Sequence, residues 1–287
     1  MTAETITFSV DGPIATIRIE RPESMNAFTY PMIGAIRDQV AAATEDPAVG
    51  AIVITGLGRA FSAGLDMTTL SNTAGGQRDT RQAPPAELPA LFGFLLDVPK
   101  PIVAAVNGVA AGGGMVLAMM CDLRFAADNA SFTTAFSKRG LIAEHGTAWL
   151  LPRLMGTSRA LDVLWSARRF DAEEAYRMGF VDRVVPADQL LEETNRYLTE
   201  LLAAAAPRSI ATIKRQVYAG WSQTFAESTV EMSRVLAASL DHPDLKEGVA
   251  SFVERRPPQF APVGPDDRHP SPSTQVHSDN DLLGGRS

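Results

Sequence analysis

Two stretches of this sequence pair an apolar strand with a turn of small residues, a combination that can leave backbone amides open to a ligand. The first is Pro101 to Asp122, PIVAAVNGVAAGGGMVLAMMCD. Its opening run, Ile102 to Val106, is apolar and rich in β-branched residues, as in a strand covered on both faces. Asn107-Gly108 breaks the run, Gly112, Gly113 and Gly114 follow, and a helical pattern opens at Met115. The first N–H groups of a helix have no partner inside it, and the helix dipole favours negative charge beside them. With no side chains in the way, they can point at an oxygen on which charge develops. In the second stretch, the strand pattern Ala51 to Thr55 runs into GLGRAFSAGLDM, where Ala63 and Gly64 leave room for a ligand to approach the backbone. A single glycine turn is weak support, because close packing alone can require one. Two such turns are stronger, because an oxyanion hole needs two donors converging on one oxygen.

The elements that must hold these turns are legible in order. Ile6 to Val10 and Ile14 to Ile19 alternate about the turn Asp11-Gly12-Pro13, which predicts a hairpin. Arg21 to Thr29, RPESMNAFT, is a loop by its Pro and Asn content. Thr29 can cap a helix over 31–43, whose Met32, Ile33, Ile36, Val40 and Ala43 recur at helical spacing. The polar stretch 71–85, SNTAGGQRDTRQAPP, reads as a loop before a helix over 87–96. Later patterns predict helices over 172–178, 190–205, 209–221 and 225–240, with a short strand over 181–184. Beyond Ala261, Pro, Ser, Asp and Gly dominate without apolar periodicity, and a disordered tail over 261–287 is expected.

Composition excludes some classes. The chain has 287 residues and a net charge of −7, which argues against a nucleic-acid partner. The single cysteine, Cys121, allows no internal disulfide and fits a reducing, cytoplasmic home. It lies in an apolar helical pattern, where a small buried residue is a simpler reading than a nucleophile. The N-terminus lacks the basic and apolar regions of a secretory signal. Asn107 and the glycines of 101–122 make that stretch a poor membrane span. The four histidines show no metal-ligand spacing, and no phosphate loop ends in Gly-Lys-Ser or Gly-Lys-Thr, so neither metal nor cofactor is signalled.

Taken together, RPESMNAFT, GRAFSAGLDM and PIVAAVNGVAAGGGMVLAMMCD resemble the crotonase family of enoyl-CoA hydratases and isomerases, from about Ile6 to Phe260. The resemblance implies an α/β fold: a spiral of repeated ββα units over 1–200, then a helical region over 201–260 that builds homotrimers, often paired into hexamers. It also implies an acyl-CoA thioester as substrate, with no separate cofactor because CoA is part of that substrate. Carried over by motif, the oxyanion donors would be the N–H groups of Ala63 and Gly113. CoA contacts would fall on Ser24, Ala27, Ala63, Gly64, Leu65 and Asp66. Loops such as 71–85 line the acyl pocket in this family, so that segment is either a lid or plain surface.

The family's hydratases use two glutamates, and here those positions hold Val116 and Phe136. Neither can activate water, and both would instead wall an apolar acyl pocket. The run Gly-Leu-Ile-Ala-Glu-His-Gly-Thr, residues 140–147, is similar to the family's β,γ- to α,β-enoyl-CoA isomerases, in which one glutamate shuttles the proton. That glutamate would be Glu144. Three alternatives stay open: Glu144 as no more than a helix cap near Gly146, an atypical hydratase using Glu144 alone, and a non-catalytic acyl-CoA binder. His145 takes no role from the motif, and Lys214 and Arg215 are either solvated helix residues or CoA phosphate partners.

Overall fold

The computed structural model describes residues 5–66 and 91–263. The loop expected over 71–85, the first four residues of the helix expected over 87–96 and most of the expected tail lie outside those residues. The chain divides into two compact units, residues 1–202 and 203–287.

The first unit opens with the expected hairpin, β1 (Ile6–Asp11) and β2 (Ile14–Ile19), paired antiparallel with Ile6 opposite Ile19. Helix α1 (Tyr30–Glu45) follows, and it buries Met32, Ile33, Ile36, Val40 and Ala43, the apolar stripe read from spacing. Thr29 stands at its N-cap without a side-chain hydrogen bond. The buried Lys100 ammonium donates to the carbonyls of Ala43 and Asp46 at 2.7 Å each, closing the negative end of that helix.

Strands and short strands then alternate. They are β3 (Ala51–Gly56), β4 (Ala60–Ser62), β5 (Ile102–Val106), β6 (Val109–Ala111), β7 (Leu123–Ala127) and β8 (Ser131–Thr133). β9 (Phe170–Asp171) and β10 (Arg183–Val185) come later. The longer strands form one sheet in the order β1-β2-β3-β5-β7-β10, parallel from β2 onward. The short ones form a second sheet, β4-β6-β8-β9. Each coil of chain thus lays one strand on the first sheet and the next on the second, and β5 and β6 are followed by helix α2 (Gly113–Met120). This is a spiral of ββα units. β3 and β5 are buried at every position, which explains their unbroken apolar runs.

Helices α3 (Thr147–Met155), α4 (Thr157–Ser166) and α5 (Ala172–Met178) close this part, and α6 (Leu190–Ala204) ends it. In the second unit α7 (Pro207–Gly220), α8 (Phe225–Leu240) and α9 (Pro243–Glu254) follow one another. α8 opens on a reciprocal capping box between Thr224 and Glu227.

Three expectations are corrected. α2 begins at Gly113, two residues before the apolar pattern, so two glycines belong to the helix and their amides to its first turn. Gly93–Asp97, within the helix expected over 87–96, is a tighter 3₁₀ turn. There Phe92 packs edge-on against Phe28, ring centres 5.4 Å apart, and Leu95 is fully buried. Finally, α9 and the short second-sheet strands were not foreseen, because a three-residue strand carries too few positions to show a period.

Candidate active site

Both small-residue turns lie in the first unit, where the loop Arg21–Thr29 braces the first of them. Asn26 is fully buried; its Oδ1 accepts from Arg21 N at 2.8 Å and its Nδ2 donates to Leu57 O and Ala60 O at 3.0 and 2.6 Å. Met25 and Asn26 both hold positive φ, 52° and 56°, in the left-handed region that few side chains adopt. That geometry directs the Met25 carbonyl to Ala63 N–H at 2.9 Å and the Asn26 carbonyl to the Ser62 hydroxyl at 2.8 Å. Arg21 adds a clamp, donating to Ala27 O at 3.1 Å and to the Asp66 carboxylate at 2.9 Å. Ser24 accepts the N–H of Ala27 at 3.1 Å. The residues expected to meet CoA are therefore brought together, with Asp66 already paired to Arg21.

The first donor changes identity. Ala63 N–H, the expected donor, is committed to Met25 and cannot also serve a ligand. Phe28 pairs in parallel with Leu65: Phe28 N–H donates to Gly64 O at 2.7 Å and Asp66 N–H donates to Phe28 O at 2.9 Å. In such a bridge the N–H of the middle residue faces away from the partner strand. The N–H of Leu65 consequently points out of the bridge, and it has no acceptor among the described residues.

Gly113 N–H is the other expected donor. Gly113 is the first residue of α2, so its N–H has no intrahelical acceptor. The two amides are neighbours: a Cβ placed on Gly113 would fall 3.6 Å from Leu65 N. Gly64 makes the approach possible. Its φ is +90°, and a Cβ there would lie 2.6 Å from Ala111 O and 2.9 Å from Gly113 N. Gly114 serves the same contact from the other side, where a Cβ would meet Ser62 O at 2.1 Å. Close packing and oxyanion geometry, the two readings of the glycines, are here one device.

Val116 and Phe136 line one apolar pocket with Gly112, Met115, Met119, Thr134, Thr147 and Leu151. Thr134 and Thr147 escaped sequence reading. Their hydroxyls turn away to Val163 O at 2.9 Å and Glu144 O at 2.7 Å, so the walls they present are methyl groups.

Glu144 reaches this pocket through Thr147, whose N–H and hydroxyl both hold the Glu144 carbonyl, at 3.0 and 2.7 Å. His145 and Gly146 between them both take positive φ, 54° and 77°. The N-cap of α3 is Gly146 with no side-chain bond, so the helix-cap alternative for the Glu144 carboxylate finds no contact. The carboxylate is half-buried and accepts no hydrogen bond among the described residues; the nearest charged partner is His145, Nε2 to Oε2 4.0 Å. Tyr30 is a further group that spacing could not reveal. It heads α1, two residues beyond the Phe28 bridge, and its phenol feels the Glu144 charge. Burial pushes that phenol up and the charge pushes it further, so it stays protonated. Burial pulls the His145 imidazole down, against a smaller upward pull from Glu144, so it is neutral at neutral pH.

The two-sheet spiral thus brings two small-residue turns together, and beside α2 lies an apolar pocket to which Thr147 links Glu144. Residues 10–262 match the enoyl-CoA hydratase/isomerase family. A probable enoyl-CoA hydratase of Mycobacterium bovis is 36% identical over 262 residues, 91% of this chain and 99% of the relative. The 1,2-epoxyphenylacetyl-CoA isomerase of Escherichia coli is 32% identical over 261 residues, 90% of this chain and 98% of the relative. Among solved structures, an enoyl-CoA hydratase subunit from Geobacillus kaustophilus superposes with a TM-score of 0.81 at 33% identity, covering 89% of this chain and 97% of that one. The chain belongs to the enoyl-CoA hydratase/isomerase family and is an acyl-CoA-processing enzyme of the crotonase fold.

Proposed function

We propose that the enzyme moves the double bond of a β,γ-enoyl-CoA to the α,β position, with Glu144 as the sole proton shuttle. The observation that carries this reading is the half-buried Glu144 carboxylate, which accepts no hydrogen bond among the described residues and whose own carbonyl is held by Thr147 of the pocket that Val116 and Phe136 line. Glu144 takes a proton from the α-carbon. The C–H electron pair becomes the double bond between the α-carbon and the carbonyl carbon, and the carbonyl π pair moves onto the thioester oxygen, giving a dienolate conjugated with the intact β,γ double bond. Leu65 and Gly113 N–H hold that oxygen, and removing one such donor costs about 3–4 kcal/mol in comparable sites. Glu144 then returns the proton at the γ-carbon, and the dienolate collapses to the conjugated thioester. One base serves both ends, as a 1,3-proton shift requires. The reaction asks for no cofactor, CoA being part of the substrate. Ser24, Ala27 and the 63–66 turn form the CoA-facing rim in this reading.

The relatives named as hydratases keep a second reading in view, in which Glu144 positions water. Both enoyl esters, supplied in ¹⁸O-water, separate the two. We expect the β,γ-ester to become the α,β-isomer without ¹⁸O in the acyl chain. Rapid formation of an ¹⁸O-labelled hydroxyacyl product from the α,β-ester would establish the hydratase instead, and turnover of neither ester would favour a binder.

The same reading includes self-assembly into trimers or hexamers in the cytoplasm. The second unit supports the first part: Phe225 and Phe252 are 89% and 85% exposed, large apolar groups left uncovered among the described residues. No helix of the described residues is long and apolar enough to cross a membrane.

A further inference from the structure

We propose that His145 relays the proton held by Glu144 to and from solvent, so that the hydrogen leaving the α-carbon is largely not the one that arrives at the γ-carbon. The inference rests on Glu144 as the shuttle and adds a second proton-handling group to it.

The geometry is specific. His145 Nε2 lies 4.0 Å from Glu144 Oε2. That is an approach rather than a hydrogen bond, and a small rotation of either side chain closes it. The side chains are 23% and 34% exposed, so the imidazole lies close to the carboxylate while remaining open to solvent. The backbone holds this arrangement at a cost: His145 sits at φ 54°, Gly146 at 77°, and Thr147 ties both ends of the turn to Glu144 O. Tyr30 is another titratable group that feels the Glu144 charge, and as a protonated phenol it can give up a proton but not take one up. The neutral imidazole can accept. In the tautomer with the proton on Nδ1, Nε2 offers its lone pair to the carboxylic acid.

The step balances. After α-deprotonation the proton resides on Glu144. The Glu144 O–H bond breaks, a bond forms to His145 Nε2, and carboxylate and imidazolium result. The imidazolium releases a proton to water. Reversal with a proton from water reloads Glu144, which then protonates the γ-carbon. No oxidant or other reactant is consumed.

The test uses a β,γ-enoyl-CoA carrying deuterium at the α-carbon, in ordinary water, read by mass spectrometry at low conversion. His145→Asn tolerates the left-handed backbone and cannot accept a proton at neutral pH; His145→Gln is a second variant, and thermal melts confirm that each is folded. We expect most of the transferred deuterium to be lost in the wild-type protein, and product retention to rise at least threefold in both variants. Wild-type retention should also rise as pH falls through the depressed range of the imidazole, because a protonated ring accepts nothing, while the variants stay flat. Equal retention in wild type and variants overturns the relay. If Glu144→Gln isomerises at the wild-type rate, the shuttle itself fails and the relay with it; if Glu144 is required and His145 leaves retention unchanged, only the relay fails.

Discussion

The turns that hold the oxygen and the turn that handles the proton are built on opposite principles. At 62–66 and 112–114 the device is backbone. Ser62, Asn26, Met25 and Phe28 use up the neighbouring polar groups, leaving the amides of Leu65 and Gly113 open. At 144–147 the backbone is locked by Thr147, while the Glu144, His145 and Tyr30 side chains are left able to respond to one another. Fixed dipoles stabilise charge well because they need no rearrangement when it appears. A proton carrier must change partner within each turnover, so it gains from a half-exposed, loosely partnered side chain.

That contrast can be broken chemically. Replacing the Leu65 amide by an ester removes one N–H and little else. It should lower kcat for isomerisation by about 10²–10³-fold, the loss typical of an oxyanion donor. The same replacement at Ala63 should act on stability instead, by about 1 kcal/mol for a lost hydrogen bond, with kcat changed by less than ~3-fold. Steady-state kinetics and thermal melts on the two semisynthetic proteins decide it, and equal kinetic losses would restore Ala63 as a donor. On the proton side, Thr147→Val keeps the pocket methyl and loses the hydroxyl that anchors Glu144 O. A smaller effect is expected: about 1 kcal/mol of stability and a fall in kcat without a matching change in KM. A rise in KM alone would show that Thr147 shapes the pocket rather than holding the acid.

The longer strands and most helices were open to sequence reading because their apolar patterns repeat, whereas the spiral itself was implied only by the family resemblance. The burial of Met32, Ile33, Ile36, Val40 and Ala43 follows the helical period, and β3 and β5 are apolar throughout. The glycine turns were legible too, since Gly64 and Gly114 stand where no Cβ fits. Which amide was free was not. Ala63 and Leu65 are two residues apart on one turn, and only the hydrogen bonds of Met25 and Phe28 separate them. Tyr30 was hidden for a related reason. It reads as the first residue of a helix, and its nearness to Glu144 arises from the bridge between Phe28 and Leu65, which no local pattern encodes.

The most direct measurement is the rate at which Glu144→Gln converts a short β,γ-enoyl-CoA to its α,β isomer at saturating substrate, with binding of the ester measured alongside. Loss of general acid–base catalysis should cut kcat by about 10²–10⁴-fold while the ester still binds through the intact backbone donors. A variant that turns over within twofold of the wild-type protein would contradict Glu144 as the proton shuttle.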